Sequence, residues 1–363
     1  MIAFGNFKGS FEGNPKYLFI EMSKEGRDVV WLSYNKATVA HVRQLGLRAY
    51  CVLTPRGAWR ALRSKWWFVG AYTSDILFCL SGRAKVVNLW HGVGIKRIEY
   101  NAVSGPIYDR FIRKTPKQVF YHPEAFRKPD YVVTASEYQT NMFMPAFRIG
   151  KERCIECSYP RNSILVASEE TRKAFIDRYE SHETIELVEQ LKQYNRVYIY
   201  MPTWRDSQKE IFTEGIDLVA VNQVLAARNE MLILKPHANT KLDAIDDFSN
   251  VMLFQSRADI YPILPYTNCL ITDYSSIIYD YVLMEGKSVI LYVYDYKDYV
   301  GIRDFFYPFD ENVVGQRAET KEELLNIFKQ GPKKLDEAER KALVEKFWGK
   351  EPNKYDFGNY LHL

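Results

Sequence analysis

The chain has 363 residues, room for one large domain or two of medium size, and is 47% hydrophobic, 26% charged and 15% aromatic. This excludes a disordered tail, a collagen and a repeat array. No apolar run approaches the ~18 residues of a membrane span, no signal peptide is visible at the start, and Cys51, Cys79, Cys154, Cys157 and Cys269 are too scattered for a disulfide framework. The net charge of +4 hides an asymmetry: residues 1–165 carry 25 Lys and Arg against 12 Asp and Glu, and the rest carry 24 against 33. The basic half is therefore expected to meet something anionic.

In chain order, β-rich runs predict strands over Val29–Ser33, Ala49–Leu53, Ile76–Leu80, Val86–Trp90 and Tyr131–Thr134. Helical patterns at Lys36–Leu45 and Glu137–Phe147 fall between them. Ser158–Ser163 breaks the pattern and reads as a linker. Strands resume at Val197–Met201, Met231–Leu234, Val251–Phe254, Cys269–Thr272 and Val289–Tyr292, with helices at Glu169–Tyr179, Ile216–Arg228, Ser276–Met284 and Lys321–Lys329. Strands alternating with helices imply parallel sheets covered on both faces. The expectation is an α/β chain of two doubly wound domains, residues 1–160 and 161–363, facing a cleft. Ligands in that class sit beyond the carboxyl ends of the strands.

Four polar clusters stand at such ends. Trp90-His91-Gly92 follows the first; an imidazole beside a glycine can accept a proton near a phosphate, or simply cap a turn. Thr203-Trp204-Arg205-Asp206 offers a guanidinium and a hydroxyl to phosphate oxygens. Lys235-Pro236-His237 places a second histidine at a strand end. Thr272-Asp273-Tyr274-Ser275-Ser276 leads into a helix, an arrangement that suits an anion or, equally, an N-cap made by Asp273 or Ser275. Cys154 and Cys157 lack partners at zinc spacing. Neither GxGxxG nor a Walker A loop occurs, and nothing here requires a cofactor or a protein-bound metal.

Taken in order, these motifs resemble the CDP-glycerol:poly(glycerophosphate) glycerophosphotransferase family, which includes teichoic-acid primases and polymerases. The resemblance runs through Asn14-Pro15-Lys16-Tyr17, Trp90-His91-Gly92, Ser136-Glu137-Tyr138, Tyr159-Pro160-Arg161-Asn162, Pro202 to Asp206, Lys235-Pro236-His237 and Thr272 to Ser276. It implies a GT-B type fold of two Rossmann-like domains, and transfer of an alditol phosphate from CDP-glycerol or CDP-ribitol to an acceptor hydroxyl, with release of CMP. His91 matches the general base. His237, Thr203, Arg205, Asp273, Ser275 and Ser276 fall on the donor side, with His237 counted as catalytic as well. Val93-Gly94 stands where many relatives read Thr-Pro, and the motifs begin almost at the first residue, without the long N-terminal extension of the large polymerases. A GT-B glycosyltransferase acting on a nucleotide sugar is the alternative, because fold does not fix function. Nucleic acid is not an expected partner, since no binding motif for it occurs.

Between Arg56 and Phe68, Trp59, Leu62 and Trp66 fall at i, i+3 and i+7 of a helix, with Arg60, Arg63, Lys65 and Trp67 nearby. Tryptophan beside cations suits the headgroup layer of an anionic bilayer, and Arg110–Lys128 is a second such tract. The expectation is a cytoplasmic protein, peripheral on the inner face of the membrane, that meets a lipid-linked or polymeric acceptor there; core packing of the tryptophans is the alternative.

Overall fold

The computed structural model describes residues 1–203, 215–236, 248–254, 258–296, 299, 305–349 and 357. Contacts divide the chain into two compact units, residues 1–164 with the segment from Lys346 onward, and residues 165–345.

The first unit is built on seven strands: β1 (Ile2–Gly5), β2 (Val29–Ser33), β3 (Ala49–Cys51), β4 (Trp66–Val69), β5 (Lys85–Asn88), β6 (Tyr131–Thr134) and β7 (Cys154–Glu156). All pair in parallel, in the order β3-β2-β1-β4-β5-β6-β7. Every residue of β1 and β2 is buried, as in a sheet with helices on both faces. Phe4 stands in register with Trp31 and Phe68. Phe19, from the helix Gly13–Lys24, packs 5.5 Å from the rings of both Phe4 and Trp31.

The second unit repeats the plan with β8 (Arg196–Met201), β9 (Glu230–Leu234), β10 (Val251–Leu253), β11 (Cys269–Thr272), β12 (Ser288–Tyr292) and β13 (Gln316–Ala318), in the order β10-β9-β8-β11-β12-β13. Strand order reverses between β1 and β4 in one unit and between β8 and β11 in the other, the switch points where doubly wound sheets take ligands.

Three expectations are corrected. Ile76–Leu80 is not a strand. The Asp75 carboxylate accepts from the N–H groups of Ala71 and Tyr72, curling the chain into short 3-10 turns, and the strand lies earlier at β4. Ser158–Ser163 does end beside the boundary between the units, but it is not an open connector: Tyr159 and Asn162 are fully buried. Finally, residues 161–363 do not stay together. The helix Glu337–Trp348 carries Phe347 edge-on to Tyr138 and Trp348 edge-on to Tyr159, and this aromatic burial fastens the end of the helix to the first unit.

Candidate active site

Beyond β5 the chain makes a turn that a strand could not continue through. Trp90 has φ of 51° and Gly92 of 120°, and the first of these is strained for a residue bearing a Cβ. The surroundings hold the turn in place. Asn88 accepts from the Trp90 N–H at 2.8 Å and donates to Ala71 O at 2.8 Å. The Trp90 ring packs edge-on against Phe143 and Phe147, and its centroid lies 4.2 Å from that of His91.

Four successive carbonyls then accept side-chain donors from elsewhere in the unit. Asn14 Nδ2 donates to Leu89 O at 3.4 Å and Trp90 O at 2.8 Å. Arg161 donates a guanidinium N–H to His91 O at 2.8 Å, and its backbone N–H to Asn14 Oδ1 at 3.2 Å. Gln139 Nε2 donates to Gly92 O at 3.1 Å, while its Oε1 accepts from the Ala135 N–H and the Tyr159 hydroxyl. All three donor residues are buried, yet His91 itself is exposed. Desolvation, and after it the Arg161 guanidinium, holds the imidazole below the ordinary histidine value. Solvent access to the ring limits that desolvation. A neutral imidazole at neutral pH can take a proton.

Sequence reasoning overlooked Gln139. The signal was present: Ser136 caps the helix Glu137–Phe147, and a Gln three residues after a capping Ser reaches back to the preceding backbone. The same reasoning named Asn14 and Arg161 only as parts of motifs.

In the second unit, Asp273 and Thr203 meet at the switch point. Asp273 Oδ1 accepts from the Thr203 N–H at 2.8 Å and from its hydroxyl at 2.6 Å, while Thr272 Oγ1 donates to Met201 O. Asp273 is fully buried, Ser275 half-buried and Ser276 exposed. The helix that follows is short, Ile277–Tyr281, and Ser276 at its N-cap position makes no side-chain capping bond. Neither Asp273 nor Ser275 is the N-cap residue, and Asp273 ties the loop after β8 to the end of β11. Trp204, Arg205, Asp206 and His237 lie outside the described residues.

The tryptophan stripe is not one helix. The helix Pro55–Arg63 ends where Ser64 turns extended, and Trp66 and Trp67 belong to β4. Trp67 is fully buried and donates Nε1–H to Ala61 O, so it presents nothing to a bilayer. Trp59 and Leu62 are exposed, Lys65 is exposed too, and the guanidinium groups of Arg60 and Arg63 lie over the Trp59 ring. The second tract is more open: Ile112, Val119, Phe120 and Tyr121 are exposed among Arg113, Lys114 and Lys117. Among the described residues no helix is long and apolar enough to cross a membrane.

A family model described as CDP-Glycerol:Poly(glycerophosphate) glycerophosphotransferase matches residues 1–354. The teichoic acid glycerol-phosphate transferase of Staphylococcus aureus is 26% identical over 355 residues, covering 91% of this chain and 83% of that protein. The teichoic acid poly(glycerol phosphate) polymerase of Bacillus subtilis is 24% identical over 345 residues, 91% of this chain but only 43% of its own length. The solved structure of the wall teichoic acid polymerase TagF matches with a TM-score of 0.76 at 22% identity, covering 100% of this chain and 87% of that one, which shows a shared fold. The α/β class with two Rossmann-like doubly wound units, the composition of the GT-B type, agrees with that likeness.

Proposed function

The chain belongs to the CDP-glycerol:poly(glycerophosphate) glycerophosphotransferase family, and we propose that it transfers an alditol phosphate from a CDP-alditol to a hydroxyl of a lipid-linked or polymeric acceptor, with glycerol phosphate as the first choice. The observation that carries this reading is the clamp on four consecutive carbonyls at residues 89–92, which spends three buried side chains on holding one exposed imidazole. The S. aureus and B. subtilis relatives are both glycerol-phosphate enzymes, which favours glycerol over ribitol.

An alcohol is a poor nucleophile. His91 accepts its proton as the new O–P bond forms, the P–O bond to CMP breaks, and CMP leaves with the electron pair. The tautomer of His91 is set by which ring nitrogen faces the acceptor. On the donor side the family resemblance assigns His237 and Arg205 to the diphosphate, where cationic and N–H groups neutralise developing charge. Ser275 and Ser276 supply hydroxyls, and the Thr203–Asp273 pair ties the residues just after β8 to the end of β11. The basic excess of the first half and the exposed aromatics at 112–121 support docking on an anionic bilayer at the cytoplasmic face, where a lipid-linked acceptor would lie.

Release of CMP, followed with CDP-glycerol, CDP-ribitol and UDP-sugars, tests the reading. CDP-glycerol is expected to stabilise the protein against heat and to support turnover. His91→Ala is expected to abolish transfer while leaving CDP-glycerol binding nearly intact, and Arg205→Ala or His237→Ala to weaken donor binding as well. Stabilisation by UDP-sugars alone would replace this reading with that of a glycosyltransferase.

A further inference from the structure

The clamp holds the carbonyl side of the Trp90–His91 turn. Its N–H side is held by a second route, which ends on a buried charge. β4 ends at Val69, next to β1 at the switch point of the first sheet. Just beyond it three successive backbone N–H groups, those of Gly70, Ala71 and Tyr72, converge on the Asp75 carboxylate. Oδ2 accepts from Ala71 at 2.8 Å and from Tyr72 at 3.3 Å. A capping box alone would account only for the bond to Tyr72, the N-cap residue of the turn Thr73–Asp75. Successive N–H groups that converge in this way form a nest for an anion. Here the anion belongs to the chain itself. Asp75 is 2% exposed, and among the described residues its charge is met by backbone N–H groups and by no Lys or Arg. Burial raises this carboxyl, and the three N–H groups oppose the rise. Glycine allows the closure, since a Cβ on Gly70 would collide with Asn6 Oδ1, and one on Gly5 with Ile76 Cγ1.

The segment fixed in this way is tied to the turn. Ala71 O accepts from Asn88 Nδ2 at 2.8 Å, and Asn88 Oδ1 accepts from the Trp90 N–H at 2.8 Å. Asn88 is itself buried, so water does not stand in for either bond. Tyr72 is held a second time, because its hydroxyl donates to Glu99 at 2.5 Å. A buried carboxylate without a cation costs stability. What this one holds is the approach to Trp90, whose φ of 51° persists only with outside support.

We propose that Asp75 is a positioning residue for His91: its carboxylate fills the nest at the first switch point and, through Ala71 and Asn88, fixes the Trp90 N–H. The role of His91 rests on the transferase reading above. The relay adds to that reading a residue that acts without touching substrate.

Breaking a series relay at either link releases the same Trp90 N–H, so the two losses do not multiply. The test uses the full chain with Asp75→Ala, Asn88→Ala, the double variant and Asp75→Asn, and melting temperatures report which of them fold. Asn88→Ala leaves the nest intact, so its result stands even where Asp75→Ala fails to fold, and Asp75→Ser then takes that place in the cycle. One readout is CMP release at saturating CDP-glycerol and synthetic tri(glycerol phosphate). The other is the imidazole NMR signal of His91, assigned by its loss in His91→Gln. Each single variant is expected to lower kcat about 100-fold with the CDP-glycerol KM unchanged, and to move the His91 signal. The double variant is expected to fall no more than about threefold below the slower single one. Asp75→Asn keeps an oxygen for the Ala71 N–H and is expected to stay within about tenfold of the unaltered protein. Losses that multiply to about 10,000-fold overturn the relay. So does a His91 signal unmoved in the folded single variants, or a CDP-glycerol KM that rises as far as kcat falls. A His91 signal that obeys the cycle without CMP release from any donor supports the relay and removes the transferase reading. CMP release that none of the variants changes does the reverse.

Discussion

Asn14 offers the sharpest check on the clamp, because its side chain bonds both the turn and Arg161, which itself donates to the turn. Its amide donates to Trp90 O and Leu89 O, and its oxygen accepts from the Arg161 N–H. The residue is 1% exposed, so water cannot replace what truncation removes. Asn14→Ala removes the partner of two carbonyls, that of Leu89 held only at 3.4 Å, and of one N–H, at about 1–3 kcal/mol for each well-made bond, and should cost about 2–5 kcal/mol in urea unfolding. That is a large share of the total stability of an ordinary domain. The catalytic effect is separable. Trp90 is held at a strained φ worth about 1–3 kcal/mol, and once Trp90 O is released the turn can relax and carry His91 with it. Displacement by about 1 Å lowers a rate by about 100-fold. Asn14→Asp isolates this effect, since it keeps the oxygen for Arg161 but sets a second oxygen against Trp90 O. CMP release at saturating donor and acceptor should fall about 100-fold in Asn14→Asp, with donor KM unchanged. Wild-type turnover in that variant, or a donor KM that rises as far as kcat falls, would refute the positioning role.

Four further outcomes are expected. Because the His91 pKa is lowered, kcat/KM should be flat through neutral pH and fall on the acid side between about pH 4 and 6.5 as the base protonates; a midpoint above pH 6.5 would contradict the lowered value. The Glu99 carboxyl is raised from 4.5 to about 7, so the folded protein keeps a proton that the unfolded chain has lost between those values. Its contribution to stability is complete below pH 4.5 and drains away as the pH rises to 7, so Glu99→Gln should gain on wild type by up to about 3 kcal/mol at pH 8 and not at pH 4; equal destabilisation at both would sink the argument. Asp273→Asn retains the oxygen that Thr203 uses and should hold donor affinity within about threefold, whereas Asp273→Ala should lose affinity and stability together, both read by thermal shift with and without CDP-glycerol. Replacing Phe120 and Tyr121 with Ser should weaken sedimentation with phosphatidylglycerol vesicles about tenfold or more, and Arg60 and Arg63 with Glu should add to the loss; binding unaltered by both sets would place any membrane contact elsewhere.

Much of the fold was legible because fully buried parallel strands read as short apolar runs between turn residues. β2, β6 and β11, and the helices Glu137–Phe147 and Glu169–Tyr179, lie where that pattern puts them. β4 was hidden by coincidence: Trp66 continues the helical spacing of Trp59 and Leu62, and only Ser64, turned extended and bonded back to Arg60 O, breaks the register. β1 is as long as β6 and β11 but was missed, because no turn residue stands before its run to set it off as a strand. At the site, His91 was legible from its place beside a glycine at a strand end. The bonds that hold it were not, since a side chain donating to a carbonyl 75 residues away leaves no periodic trace. Glu99 was illegible for another reason, because a positive φ is the signature of glycine and nothing local announces a glutamate there.

This difference bears on how motif residues should be interpreted. Residues named because they recur together are easily taken for ligands of the substrate. In the first unit, however, the motif residues Asn14 and Arg161 are buried and bonded to the backbone of the turn, as is Gln139 just beyond the Ser136–Tyr138 motif, and only His91 of that group is exposed. The second unit repeats the division: Asp273 is buried against Thr203, while Ser275 and Ser276 keep access to solvent. An exposed histidine on a free loop would sample many rotamers and backbone states, and each would dilute the geometry that proton transfer needs. Fixing the backbone at four consecutive carbonyls removes that freedom before substrate arrives, and the strain at Trp90 is the local cost of the turn. Motif segments far apart in sequence are thus brought together by a mechanical requirement, and the chemistry falls to the few side chains left in solvent.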